Sequence, residues 1–98
     1  QDFEAAYQDI IDQNTPLFEK QTESLTTYQM NFLRAIINGV HSEFTTQEII
    51  HKYQLSSSAN VSIVKRALVK KELIEIEKRR VFIPDPVMKV WLKKELGI

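Results

Sequence analysis

The stretch that decides the fold is SSSANVSIVKRALVKKELIEIEKRRVFIP, residues 56–84. It opens with three serines, which favour the start of a helix because their hydroxyls accept hydrogen bonds from backbone N–H groups. Apolar residues then recur at Val61, Val64 and Leu68, the spacing of one face of a helix. After Leu73 the pattern changes to the two-residue alternation of β-strands. The stretch therefore predicts a helix that leads into a β-hairpin.

A second helix is predicted well upstream of this stretch. Thr26 followed three residues later by Gln29 has the pattern of a capping box, in which each residue satisfies a backbone N–H of the other. Apolar residues continue on one face of this helix, and Gly39 is expected to end it.

The same start pattern recurs at Thr45 and Glu48 and predicts a short helix that ends near Tyr53. The few residues that follow suffice for the tight turn of a helix-turn-helix motif. Ser57 or Ser58 is then expected to cap the helix of the opening stretch.

The hairpin is predicted from two short alternating segments, residues 74–77 and 81–83. Residues 78–80 join them and include no Gly and no Asp-Gly pair. Because two-residue hairpin turns favour those residues, we do not expect a two-residue primed turn here and predict an irregular hairpin.

Asp85 and Pro86 then predict a last helix, with Asp as the cap and Pro at the first helical position. Trp91 shares one stripe of this helix with Val87 and Met88, which favours a place in the core over a ligand-stacking platform.

At the other end of the chain, Gln1 already belongs to a helical pattern, so the chain is expected to be part of a longer protein. The first helix is expected to end near Asn14, because Pro16 disfavours helical backbone before it. A short separate helix containing Phe18 is predicted to follow, up to about Thr22.

Together these elements predict a mainly α fold with a small β-hairpin: a winged helix-turn-helix preceded by one or two N-terminal helices. The predicted organisation is a helical lead-in over residues 1–24 and a winged-helix domain over residues 25–98.

Length and composition narrow the function classes. A chain of 98 residues with 43% apolar and 27% charged residues suits one ordinary globular domain. No apolar run approaches the length of a membrane span, and no signal peptide is visible, so we expect a cytoplasmic protein without a membrane partner. The absence of cysteine excludes disulfides, thiolate nucleophiles and Cys-based metal sites.

Charge is unevenly distributed although the net charge is zero. Residues 1–51 carry two basic and eight acidic residues, a net charge of −6, whereas residues 52–98 carry eleven basic and five acidic residues, a net charge of +6. A basic half attracts a polyanion, but an acidic half attracts the basic surface of a neighbouring domain equally well.

The candidate contact residues lie on the helix of the opening stretch and on the wing. In DNA-binding proteins of this architecture, the outward residues of that helix enter the major groove and the wing contacts phosphates. An outward Ile63 instead suggests a protein contact, since a DNA reader normally places Arg, Gln or Thr there. The candidates for contact with DNA or with a protein partner are Ser57, Asn60, Ser62, Ile63, Lys65, Arg66, Lys70, Lys78, Arg79 and Arg80.

No residue set predicts catalysis, a metal site or a cofactor site in these 98 residues. His41 and His51 lack the further ligands that a metal site needs. Glu75 and Glu77 share a strand face among lysines, which suits solvated ion pairs. No phosphate-binding loop motif is present, so this fragment is expected to be non-enzymatic.

From residue 25 onward the order of motifs resembles the C-terminal winged helix of archaeal and bacterial AAA+ (STAND-like) ATPases. The likeness rests on LTTYQ at residues 25–29, YQLSSSANVS at residues 53–62 and FIPDPVMKVWL at residues 82–92, as well as the turn from residues 67–68 to residues 73–74. The last segment is the most specific, since these ATPases often end the wing with a Phe-x-x-Asp-Pro-x-hydrophobic-x-x-Trp-Leu pattern. The likeness covers about three quarters of the chain, and residues 1–24 resemble the end of the helical lid.

This resemblance implies a parent protein that binds and hydrolyses ATP with Mg²⁺ upstream of these residues. The upstream ATPase domain of the same chain is then one partner. Our leading hypothesis is a non-catalytic interaction and coupling module: the acidic N-terminal helices dock on the ATPase core, and the winged helix transmits nucleotide state or holds a protein partner. The alternative is binding of double-stranded DNA by the helix at residues 59–71 and the wing at residues 78–80.

Overall fold

The computed structural model describes residues 3–97, so Gln1 and its predicted place in a helix lie outside the described residues. Five helices and one hairpin follow each other along this part of the chain. They are α1 (Phe3–Glu23), α2 (Thr27–Ile37), α3 (Gln47–Tyr53), α4 (Ser58–Lys70), β1 (Glu75–Glu77), β2 (Arg80–Phe82) and α5 (Pro86–Glu95). This order confirms the predicted mainly α winged helix-turn-helix with a β-hairpin and a preceding N-terminal helix.

The predicted capping box at the start of α2 is confirmed. Thr26 Oγ1 accepts the N–H of Gln29 at 3.1 Å, and Gln29 Oε1 accepts the N–H of Thr26 at 3.0 Å. At the other end Gly39 adopts a φ of +100°, and the N–H of Val40 reaches back to the carbonyl of Ala35 at 2.9 Å. Gly39 therefore ends the helix as expected, because glycine takes this conformation with little strain.

The start of α3 lies one residue later than predicted. Thr46 and not Thr45 is the cap, and its Oγ1 accepts the N–H of Ile49 at 3.3 Å. The preceding residue Phe44 is buried and stacks on Phe32 with ring centroids 4.4 Å apart. This tertiary contact fixes the incoming chain and so decides which threonine reaches the helix start.

The first helix does not end at Asn14, and the predicted separate helix up to Thr22 does not exist. α1 continues through Pro16, although a proline inside a helix removes one hydrogen bond and strains the preceding turn. Ile11 and Phe18, on either side of Pro16, are both buried in the same core. They share one face only if the helix is continuous, so burial of both side chains outweighs the local effect of the proline.

α1 packs against α5 with opposite direction. Phe18 contacts Trp91 with ring centroids 5.5 Å apart, and Lys94 Nζ donates to Gln8 Oε1 at 2.8 Å. Trp91 is thus a core residue, as predicted. The division of the chain near residue 24 stays a prediction. None of the helices within residues 3–97 is long and apolar enough to cross a membrane.

The helix-turn-helix places α4 on the core through one face. Val61, Val64 and Leu68 are buried, as the apolar spacing predicted. They pack in one core with the buried side chains of α2, among them Phe32 and Leu33. The opposite face of α4 is left at the surface.

The wing is a two-stranded antiparallel hairpin whose register pairs Glu75 with Phe82 and Glu77 with Arg80. Only Lys78 and Arg79 join the strands, so the expectation against a two-residue primed turn is wrong. Both residues have positive φ, 52° and 67°, as in a type I′ turn. This turn matches the right-handed twist of the strands, and the pairing of the strands imposes it on two residues that disfavour it.

Candidate partner-binding face

We name the outward side of α4 together with β1, β2 and their turn the α4–wing face. Two of its predicted contact residues are used by the fold. Ser57 Oγ accepts the N–H of Asn60 at 3.1 Å and caps α4. The side-chain amide of Asn60 donates to the carbonyl of Leu55 at 2.8 Å and holds the helix-turn-helix turn. These polar groups stabilise the start of α4.

The next residues of α4 present a mixed surface. Ser62, Ile63, Arg66 and Lys70 are exposed, and Lys65 is half-buried at the edge of the core. Because each helical residue advances by about 100°, Arg66 lies almost opposite the centre of the buried face. It is therefore directed away from the core of the domain.

An apolar groove runs between α4 and the wing. Val69 and Ile76 form its floor and are 40% and 49% exposed. Ser62, Lys65 and Arg66 line the same groove, which encloses about 360 Å³. The groove thus combines an apolar floor with a cationic wall, so a ligand side chain that enters the groove itself should be apolar or acidic.

Val69 and Ile76 were not predicted as contact residues. Val69 follows directly after buried Leu68 and lies off the buried stripe, a signal that the sequence contained. Ile76 carried no such signal, since strand alternation puts it on the same face as buried Ile74. Its register partner Val81 is buried on the same face of the sheet, so β2 lies over the core and β1 lies beyond the edge of the core.

Ile63 lies on the side of α4 away from the groove and is 59% exposed, the largest value among the exposed large apolar side chains that the structure describes. Helical geometry separates it from Val69 by about 120° around the helix axis. The outward surface of α4 therefore carries an apolar residue at each border, with Arg66 between them.

The tip of the wing is basic. Lys78, Arg79 and Arg80 are all exposed, and Arg80 lies opposite Glu77 in the hairpin register. Within residues 3–97, no hydrogen bond or ion pair engages the six cationic side chains of the predicted set. These cations are Lys65, Arg66, Lys70, Lys78, Arg79 and Arg80. They remain available to a ligand.

The two histidines have separate positions. His41 is half-buried, and its Nδ1 lies 2.8 Å from the carbonyl of Val81 at the base of the wing. Because a carbonyl only accepts, Nδ1 carries the proton in this contact. His51 is exposed on α3. The described part of the chain contains no group of three or more His, Cys, Asp or Glu residues that could hold a metal ion.

α1 carries a second exposed apolar surface. Tyr7, Ile10 and Leu17 are 41%, 45% and 53% exposed, beside the buried stripe that faces α5. Ala6, Tyr7 and Ile10 line a shallow depression with Glu4. Acidic residues outnumber basic ones on this helix, so its exposed side is apolar and acidic.

Comparison with known proteins agrees with this architecture. A family model described as "Probable winged helix domain" matches residues 16–94, well over half of the chain. No curated protein and no solved structure matches the chain. The match begins inside α1 and extends into α5, so it includes the helix-turn-helix and the wing. The chain belongs to this winged-helix family.

Proposed function

We propose that this winged helix is a non-catalytic interaction module of a larger AAA+ ATPase and binds a protein partner through its α4–wing face. The observation that carries the proposal is the exposure of Ile63, Val69 and Ile76 on this face. Water-exposed aliphatic side chains gain free energy when a partner covers them, by about 25 cal/mol per Å² of apolar surface. Winged helices are generally non-catalytic, which also favours a binding function.

The distribution of charge around these residues supports a protein ligand. Protein interfaces commonly have an apolar centre with a polar rim, and cations such as Arg66 and Lys70 flank the apolar residues here. A helix that reads DNA would instead bring Ile63 towards base edges and phosphates, where an aliphatic side chain has few favourable contacts.

Docking on the ATPase part of the parent is assigned to α1. Its exposed residues Tyr7, Ile10 and Leu17 lie on a helix whose acidic residues outnumber the single Lys20. Such a surface complements a basic, apolar site on a neighbouring domain. The two surfaces would let one domain contact the ATPase and a further protein at the same time.

The ATPase parent itself rests on the motif at residues 82–92. Within that motif Asp85 caps α5 through two backbone N–H groups, Pro86 is the first helical residue, and Trp91 packs on Phe18. These contacts indicate that the motif has a structural function in this fold. What the chain shares with the ATPases in this segment is therefore a structural element. A Walker A motif in the coding sequence upstream would support this parent, and an upstream sequence without one would contradict it.

The proposed function is tested by hydrogen exchange on the full-length protein with ATP and with ADP. We expect nucleotide-dependent protection in α1 or around Ile63 on α4. The variant Ile63→Ser should abolish the change on α4 and leave that on α1. Identical exchange in both nucleotide states would contradict coupling.

DNA binding is the second candidate, and the unpaired cations of the α4–wing face favour it. Duplex DNA would then bind with an affinity that falls steeply with salt, as phosphate contacts release counterions. In fluorescence anisotropy, Arg79→Glu with Arg80→Glu should reduce the salt slope by about one unit for each lost phosphate contact.

The matched control for that experiment is Lys89→Glu with Lys93→Glu, which makes the same change in charge on α5, outside the face. If both pairs reduce the slope equally, the attraction is a non-specific effect of total charge. No binding at low salt would eliminate the DNA alternative.

A further inference from the structure

The two outer edges of the hairpin differ in their hydrogen bonding. On β2, the N–H of Val81 donates to the carbonyl of His41 at 2.8 Å. The carbonyl of Val81 accepts from the ring Nδ1 of His41 at 2.8 Å. His41 therefore closes this edge with its backbone and its side chain.

The edge of β1 is open. Glu77 and Arg80 flank the two-residue turn, so they exchange hydrogen bonds, and the next pair, Ile76 with Val81, does not. The N–H and carbonyl of Ile76 must therefore point away from β2. Within residues 3–97 neither group has a protein partner. An extended chain laid along β1 could form two backbone hydrogen bonds with Ile76.

The groove of the α4–wing face lies beside this open edge. Ile76 contributes the backbone groups and, with Val69, the apolar floor. A second depression continues the groove past Val69 towards Glu72 and Glu75. A strand added to β1 would thus place one side chain over Val69 and Ile76, so backbone pairing and apolar burial would occur together.

Charge decides which strand fits. If a second copy paired antiparallel about Ile76, Glu75 of each copy would lie opposite Glu77 of the other, and like charges directly opposite destabilise a sheet. Glu75 lies opposite Phe82 in the hairpin and makes no ion pair within the described residues. The open edge therefore disfavours self-association and favours a strand with basic residues.

We infer that the β1 edge binds an extended segment of a partner protein, in which a β-branched apolar residue opposite Ile76 is flanked by basic residues opposite Glu75 and Glu77. The apolar residue covers Val69 and Ile76, and the basic residues lie on the outer face of the sheet. This inference rests on the proposed function, because it takes the ligand to be a protein, and it adds the binding mode and the sequence chemistry of that ligand.

The test adds a blocked heptapeptide, TTKVKTT, to the 98-residue chain. Binding is monitored through the amide NMR signals of the chain and the hydrogen exchange of the Ile76 N–H. We expect the Ile76 N–H to shift and to exchange more slowly as the peptide is added. The peptide TTEVETT should bind more weakly. Methylation of the valine nitrogen removes one backbone hydrogen bond, which corresponds to roughly a three- to tenfold loss of affinity.

A protein variant tests the same edge from the other side. Ile76→Pro removes the outward N–H but no hydrogen bond to β2, and edge strands tolerate proline at such positions. It should weaken peptide binding by at least the roughly three- to tenfold expected for the methylated peptide, whereas Ile76→Val keeps the N–H and should bind normally. If Ile76→Pro disturbs the wing, the methylated peptide still decides the question.

The inference is overturned if TTKVKTT does not bind, if the methylated peptide binds equally well, or if the shifts lie on α4 alone. These results are separate from those for the proposed function. Protection of Ile63 in the full-length protein with unchanged Ile76 would leave the proposed function intact and remove this binding mode. Peptide binding at Ile76 without nucleotide-dependent protection would support this binding mode and contradict the proposed function.

Discussion

Both faces of α4 carry aliphatic side chains, but in opposite environments. Val64 is 4% exposed on the inner face, whereas Val69, one and a half turns later, is 40% exposed on the outer face. The inner face explains the fold, since its side chains fill the core. The outer face does not contribute to that core, so its apolar residues need another explanation, and a partner that covers them supplies one.

The largest expected difference between the two faces of α4 is in their contribution to stability, which the same valine-to-alanine substitution on each face measures. Val64→Ala removes two buried methyl groups and leaves a cavity, so it should lower the free energy of unfolding by about 2–3 kcal/mol. Val69→Ala should lower it by less than about 1 kcal/mol, because Val69 is already 40% exposed and alanine favours the helix more than valine does. Urea unfolding measures both. Equal losses would show that Val69 is buried in solution.

A second prediction concerns the wing tip, where Lys78 and Arg79 adopt strained left-handed backbone conformations. Left-handed backbone costs about 1–2 kcal/mol at a residue other than glycine. Lys78→Asn with Arg79→Gly suits a type I′ turn and should raise the free energy of unfolding by about 1–2 kcal/mol. The control Lys78→Ala with Arg79→Ala removes the same charges but keeps the strain, so no such gain is expected. A gain in the control would assign the effect to charge.

A third prediction separates folding from binding at the border between the two faces. Ser57→Ala removes the cap of α4 and should lower the free energy of unfolding by about 1 kcal/mol. Its neighbour Ser58 is exposed and makes no side-chain hydrogen bond within the described residues, so Ser58→Ala should leave stability nearly unchanged. Thermal and urea unfolding of the two variants measure the difference. Similar free energies of unfolding for the two variants would contradict the assignment of Ser57 as a stabilising cap of α4.

The helix starts could be predicted because their chemistry is local. Thr26, Ser57 and Asp85 each bond a backbone N–H within three residues, so the sequence contains both partners. The continuity of α1 could not be predicted in this way. It depends on Phe18 packing against Trp91, a residue far along the chain, and a local rule for Pro16 cannot include that contact.

The candidate site was predictable only where periodicity defines a surface. Exposure of Ile63 and Arg66 follows from the positions of the buried residues of α4 around the helix axis. The exposure of Ile76 depends on where the hairpin lies relative to the core, and strand alternation alone places it inside. The open edge of β1 likewise appears only once the register and the contact of His41 with Val81 are known.

The smallest predicted effect on stability is at Ile63 on the outer face of α4. Ile63 is 59% exposed, and isoleucine and serine have similar helix propensities, so Ile63→Ser should change the free energy of unfolding by less than about 0.5 kcal/mol. Urea unfolding with an unchanged slope would establish that the fold does not need this isoleucine. A loss above about 1 kcal/mol would place Ile63 within the core in solution and contradict the division into two faces. If Ile63→Ser leaves the free energy of unfolding unchanged but abolishes the nucleotide-dependent protection on α4, partner binding is the reason for an aliphatic side chain on this surface.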